Sequence, residues 1–141
     1  MLLKGNLRGL QHIGLPVTNL ERSKAFYAGL GFEEAMRTDL PGASEAVQVA
    51  MMQHEGLTIE MYQLEQEERQ AVAKRTDGHL DHIALDVMDI EQAYNDIRAA
   101  GLEILEENAP VFLPFWEHGV RFFTIRGPDG EKVEFNQILK S

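Results

Sequence analysis

The sequence predicts an α+β fold built from two βαβββ modules whose strands form a curled mixed-sheet cup. Three observations carry this expectation. Residues 12–27 (HIGLPVTNLERSKAFY) and 82–97 (HIALDVMDIEQAYNDI) align without gaps and match at His12/His82, Ile13/Ile83, Leu15/Leu85, Val17/Val87 and Glu21/Glu91. Residues 57–64 (LTIEMYQL) and 131–138 (EKVEFNQI) form a second echo, aligning Glu60 with Glu134 and Gln63 with Gln137. The order of strand-like and helix-like periods is also the same in both halves, which is how a duplicated unit reads in a sequence. The single 141-residue domain therefore divides into an N-terminal module at 8–65, a polar linker at 66–78 and a C-terminal module at 79–139.

The elements follow in order. Residues 10–17 alternate as a strand does. Thr18 or Asn19 is placed to cap a helix starting near Leu20, with Glu21 completing a capping box. Leu20, Ala25, Phe26 and Leu30 give that helix an apolar stripe, and Gly29 and Gly31 end it. Strands are expected at Phe32–Arg37, Glu45–Gln53 and Leu57–Leu64, with a tight turn at His54–Gly56. Gln63–Arg69 reads as a solvated helical or linker segment. In the second half, His79–Val87 is a strand, Asp89 caps a helix to Ala100, and Gly101 stops it. Strands at Leu102–Glu106, Val120–Arg126 and Glu131–Leu139 complete the module, the last pair joined by a Pro128–Gly130 turn.

Composition narrows the functional classes. The net charge of −10 disfavours a phosphate-rich polymer as partner, so no nucleic acid is expected. No apolar run has the length of a membrane span, and the N-terminus lacks the pattern of a secretory signal. The chain contains no cysteine, so a bound metal must be held by nitrogen and oxygen. Absence of cysteine also fits a cytoplasmic location.

Strand parity singles out four residues. Ile13, Leu15 and Val17 share one face of the first strand, placed to pack under the helix, and His12 has the opposite parity. His82 stands in the same relation to Ile83, Leu85 and Val87. Glu60 lies between Ile59 and Met61, and Glu134 between Val133 and Phe135. Two imidazoles and two carboxylates on a concave face would bury uncompensated negative charge, which one divalent cation offsets. A sulfur-free set of His12, Glu60, His82 and Glu134 suits Zn²⁺, Ni²⁺, Co²⁺, Mn²⁺ or Fe²⁺, six-coordinate with two positions left for water or substrate. His54, His79 and His118 fall outside the repeat and are expected to be ordinary surface residues.

The segment HIGLPVTNLERSKAFYAGLGF resembles the opening of a vicinal oxygen chelate domain, from the superfamily of glyoxalases, bleomycin-resistance proteins and extradiol dioxygenases. HIALDVMDIEQAYNDIRAAG and FFTIRGPDGEKVEFNQIL are similar to its second module, so the resemblance covers nearly the whole chain. It implies a glyoxalase-like fold, often a homodimer, and a small carbonyl substrate that chelates the metal. The order His, Glu, His, Glu is similar to glyoxalase I, the lactoylglutathione lyase. By that resemblance Glu134 is both ligand and base, and Glu60 is the opposite-face catalytic partner. The chemistry is coherent: a cation stabilises the charge of an enediolate, and a carboxylate moves the proton next to the carbonyl. Phe122, Thr124, Tyr62 and Trp116 are the candidate substrate contacts.

Three departures bear on the substrate. Where glyoxalase I enzymes grip the glutathione carboxylates, this chain has Pro16, Leu64 and Gly78, so glutathione dependence is not expected to carry over. Arg121 or Arg126 is placed to anchor a different acidic substrate. An epimerase of an acyl thioester or hydroxy acid, similar to methylmalonyl-CoA epimerase, is the first alternative, although those enzymes commonly have Gln at the place of Glu60. A non-haem Fe(II) ring-cleaving dioxygenase is disfavoured because a fourth protein ligand takes a site that oxygen and catechol need. A drug-sequestering protein is disfavoured because such proteins usually lack the ligands. The stiff apolar stretch Ala109–Gly119 (APVFLPFWEHG) is suited equally to a lid or to a dimer interface.

Overall fold

A computed structural model describes every residue except Leu30, Gly127, Asp129, Gly130 and Glu131. The chain divides into two compact units, one of residues 12–81 and one of residues 1–11 with 82–141. The described residues are α+β, and each unit has the expected strand–helix–strand–strand–strand order.

In the first unit, β1 (Leu7–Pro16, entering the unit at His12) is followed by α1 (Leu20–Gly29), β2 (Glu33–Leu40), β3 (Val47–His54), β4 (Leu57–Gln63) and α2 (Gln66–Ala73). The strand order is β2-β3-β4-β1. β1 runs parallel to β4, with Ile13 opposite Ile59, Gly14 opposite Glu60 and Leu15 opposite Met61. Val17, Leu20, Ala50, Met52, Ile59 and Met61 make the core, with Leu15, Tyr27 and Phe32 packed against it. The strand parity read from the sequence holds for Leu15, Val17, Ile59 and Met61, which pack with Leu20 and Tyr27 of α1, whereas Ile13 and Ile83, expected under the helices, stand outside the two cores and Ile83 is exposed. Truncating Leu20 or Met61, both fully buried, would cost about 2–5 kcal/mol.

The second unit contains β5 (His82–Val87), α3 (Ile90–Ala99), β6 (Val111–Leu113), β7 (Val120–Arg126) and β8 (Lys132–Ile138), in the order β5-β8-β7-β6. β5 is parallel to β8, with Ile83 opposite Val133, Ala84 opposite Glu134 and Leu85 opposite Phe135. This is the β1–β4 register shifted by the offsets of the sequence repeat. Leu3 joins Val87, Ile90, Ala93, Ile97, Phe123 and Phe135 in the core. The N-terminal segment is tied in by Asn6, whose side chain bonds both the N–H and the C=O of Asp89, at 2.7 and 2.8 Å. The Met88 N–H donates to the Asn6 C=O in the same place. The sequence pattern gave no role to these first residues.

Several local expectations are corrected. Leu102–Glu106 forms no strand. The Leu105 N–H bonds the Thr124 C=O, but the Glu106 carboxylate accepts the Thr124 N–H at 2.7 Å, taking the place a strand carbonyl would need. The third strand of this unit is instead β6, within Ala109–Gly119, and it pairs antiparallel with β7. Helix α1 buries Leu20 and half-buries Tyr27, seven residues on, whereas Ala25 and Phe26 are exposed. Leu30 lies outside the described residues. The α1 cap is Asn19, which accepts the Arg22 N–H at 3.0 Å. The capping box does not form: Thr18 Oγ1 accepts from the Arg22 guanidinium, and Glu21 pairs with Lys24. Asp89 caps α3 as expected, accepting the Gln92 N–H at 3.0 Å. Part of the Pro128–Gly130 turn and the first residue of the last predicted strand, Glu131, lie outside the described residues.

Candidate metal and proton-transfer site

The candidate residues fall at equivalent positions within each of the two units. In the first unit, Gly14 and Glu60 are register partners and so share a face. His12, two residues before Gly14, faces the same way. Its Nε2 stands 3.7 Å from Glu60 Oε1. In the second unit Ala84 and Glu134 are partners, and His82 Nε2 stands 3.5 Å from Glu134 Oε1. His12 and Glu134 are buried, and Glu60 and His82 are partly buried.

Two donors on one cation, each about 2.1 Å from it and roughly at right angles, stand about 3 Å apart. The two His–Glu separations are close to that spacing. Imidazole nitrogen and carboxylate oxygen are also the donors a divalent transition metal takes in the absence of thiolate. The residues present therefore fit such an ion.

Tyr62 follows Glu60 by two residues and shares its face. Burial pushes the Tyr62 hydroxyl well above the ordinary tyrosine range, with the Asp81 and Glu60 carboxylates and a hydrogen bond to Asp81 adding to the rise. The phenol therefore stays protonated beside Glu60. Asp81 was not singled out by the sequence pattern. Its N–H bonds the Gly14 C=O at 2.8 Å, which fixes it just ahead of His82 in the chain.

On β7, Thr124 is the register partner of Glu134, and Phe122 the partner of Asn136. Both predicted contacts thus lie on the face of Glu134. Asn136 is the residue that pattern reading missed. It is 3 % exposed, and its Nδ2 donates to Glu134 Oε2 at 2.9 Å. Its equivalence to Tyr62, two residues after the other glutamate, was the available signal. Trp116 is half-buried and holds a left-handed backbone with φ of 63°. For a residue of this size that conformation is uncommon. Phe115 beside it is buried, while Phe112 is exposed.

Arg121 is not on this face. Its register partner is Gln137, and its guanidinium pairs with Glu91 of α3 at 2.6 Å. It belongs to the helix side and does not serve as the anchor considered for it. Arg126 keeps the parity of Phe122 and Thr124. His54, His79 and His118 are exposed, as expected of residues outside the repeat. His54 bonds the Gly31 C=O through Nδ1, and His118 lies 3.7 Å from Glu117.

A family model described as Glyoxalase/Bleomycin resistance protein/Dioxygenase superfamily matches residues 9–135. The chain belongs to this superfamily, and its fold is glyoxalase-like. No curated protein matches the sequence. Among solved structures, methylmalonyl-CoA epimerase from Mycobacterium tuberculosis superposes with a TM-score of 0.76 at 20 % identity, covering 99 % of this chain and 94 % of that one. A variant of Streptomyces coelicolor methylmalonyl-CoA epimerase in complex with 2-nitronate-propionyl-CoA gives 0.72 at 23 %, covering 95 % and 99 %. A hypothetical protein from Bacillus halodurans gives 0.73 at 25 %, covering 94 % and 95 %.

Proposed function

We propose that the protein is a metal-dependent enzyme that moves a proton on the carbon next to a carbonyl, and that it epimerises an acyl thioester or a hydroxy acid. One observation carries the reading: the same His–Glu pair occurs at the same register position in both units, His12 with Glu60 and His82 with Glu134. The superfamily usually binds a divalent metal, and His12, Glu60 and His82 offer donors of the kind that hold one. We assign His12, Glu60, His82 and Glu134 as the ligand set.

A divalent cation bound there supplies a positive charge that stabilises negative charge developing on the substrate oxygens. Glu134 takes the proton from the substrate carbon, and Glu60 returns one to the opposite face. Inversion needs two such groups, and each module contributes one carboxylate. Tyr62, whose hydroxyl is committed to Asp81, stays protonated beside Glu60 and does not compete as a base. Thr124 and Phe122 line the Glu134 side, and Trp116 closes over the substrate. The relatives named above as methylmalonyl-CoA epimerases support an epimerase over a lyase. The loss of the glutathione-gripping residues at Pro16, Leu64 and Gly78 points the same way. We further assign a homodimer in the cytoplasm, in keeping with the superfamily resemblance and the cysteine-free composition. Among the described residues no helix is long and apolar enough to cross a membrane.

The test is proton exchange. Protein loaded with Zn²⁺, Ni²⁺ or Co²⁺ should wash deuterium from solvent into the carbon next to the carbonyl of a racemising acyl-CoA or hydroxy acid. Absence of exchange with every metal and both substrate classes would reject the reading. A second reading, a glyoxalase I-type lyase, is favoured by one feature, the carboxylate at Glu60. Turnover of methylglyoxal with glutathione would select it.

A further inference from the structure

Asn136 has a buried side-chain oxygen without a partner among the described residues. Its Nδ2 donates to Glu134 Oε2 at 2.9 Å, while its Oδ1 accepts no hydrogen bond from any of them. The orientation of the amide is set by chemistry. An ionised carboxylate only accepts, so the amide nitrogen must face Glu134 and the oxygen must face away. Buried polar atoms in folded proteins are nearly always satisfied, and an exception calls for a physical explanation, a bound water, ion or catalytic role among them. The backbone of Asn136 is otherwise well held, its C=O accepting from Gln11 Nε2 at 2.9 Å. Strand parity puts the side chain on the face of Glu134 and Thr124, beside its half-buried register partner Phe122.

We propose that Asn136 is a positioning and specificity-determining residue: its amide N–H fixes the Glu134 carboxylate, and its Oδ1 accepts a hydrogen bond from a hydroxyl on the reacting carbon of the substrate. The substrate class this selects is a 2-hydroxyacyl compound rather than a 2-methylacyl one, because a methyl group leaves the oxygen unsatisfied. The inference rests on the functional reading above and narrows it. A site built around a buried acceptor discriminates strongly against an analogue of equal size without the donor.

Calorimetric titration of the Zn²⁺-loaded full chain tests this without turnover. The probes are 2-hydroxypropionyl-CoA and 2-fluoropropionyl-CoA, which are close in size but differ in having a donor. The wild type should bind the hydroxy compound at least tenfold more tightly. Asn136→Leu, similar in volume and without the amide, should abolish the preference. Equal wild-type affinities overturn the assignment, and this outcome needs no variant to fold. A preference that survives in Asn136→Leu also overturns it. Failure of the wild type to bind either thioester overturns the inference alone when solvent deuterium still exchanges into a hydroxy acid or another acyl-CoA; absence of that exchange as well sinks the functional reading.

Discussion

Gln63 Oε1 accepts a hydrogen bond from the backbone N–H of Leu20 at 2.8 Å, tying the last strand of the first unit to the first turn of its helix. Gln137 does the same for Ile90 at 2.9 Å in the second unit. The first N–H groups of a helix have no partner within it, so each glutamine supplies an acceptor from a distant strand. This explains why the Gln63/Gln137 echo accompanies the Glu60/Glu134 echo. The residue three positions after each glutamate docks the helix, while the glutamate itself faces away from it.

Removing either acceptor should therefore weaken its own unit. Gln63→Ala and Gln137→Ala are each expected to cost about 1–2 kcal/mol, with the two losses adding in the double variant. Urea titration followed by circular dichroism measures this. A change below a few tenths of a kcal/mol in both would show that water replaces the side chain.

Metal binding and proton transfer should separate by residue. His12→Ala and His82→Ala are expected to lower divalent-metal affinity at least tenfold, by loss of one ligand each. Glu134→Gln should keep the fold and lose proton exchange by 100-fold or more. Metal content and solvent-deuterium incorporation are the two measurements. Full exchange in Glu134→Gln would remove Glu134 as the base.

Acid should loosen the loop between β2 and β3. The Glu65 carboxylate accepts from the backbone N–H groups of Ala43, Ser44 and Glu45 and from the Ser44 hydroxyl. These bonds, led by the Ser44 N–H, hold its pKa down to about 2 from an ordinary 4.5. The folded value is depressed, so the stabilisation is fully present above pH 4.5 and is lost as pH falls toward 2. In Glu65→Gln this part of the pH dependence should vanish, as read from urea midpoints across that range. Gly42→Ala should act alike. A Cβ at that position would meet the Glu45 C=O at 2.0 Å and the Glu65 carboxyl carbon at 2.8 Å.

Alkali should act through Tyr62. Its pKa is raised by burial first and by neighbouring carboxylates second, above an ordinary value of 10.0. For a raised pKa the contribution is complete below 10.0 and declines as pH climbs toward the folded value, because only the unfolded chain ionises in between. Stability of the wild type relative to Tyr62→Phe should be level up to about pH 9.5 and fall above it. Thermal melts from pH 8 to 11 check this, and a flat difference would contradict the buried, protonated phenol.

The duplication, the two βαβββ orders and the four metal-ligand candidates were legible in the sequence. The reason is that strand parity is a local property: a residue between two core-facing neighbours must face the other way. The phase of α1 was less legible. Leu20 and Tyr27 set the buried stripe, but Phe26 looked equally apolar and turned out exposed. Leu102–Glu106 read as a strand, yet the Glu106 side chain took the Thr124 N–H that a strand would have used.

By itself, the sequence determined which residues share a strand face and that the chain holds two copies of one pattern. Tertiary structure decided what each polar group bonds. Asn6 finds Asp89 across 83 residues, Gln63 finds Leu20 across 43, and Gln137 finds Ile90 across 47. It also left Asn136 with one committed and one open hydrogen-bonding atom. Hydrophobic period is written in consecutive residues, whereas hydrogen-bond partners are chosen by sheet register and packing, which only the folded chain brings together.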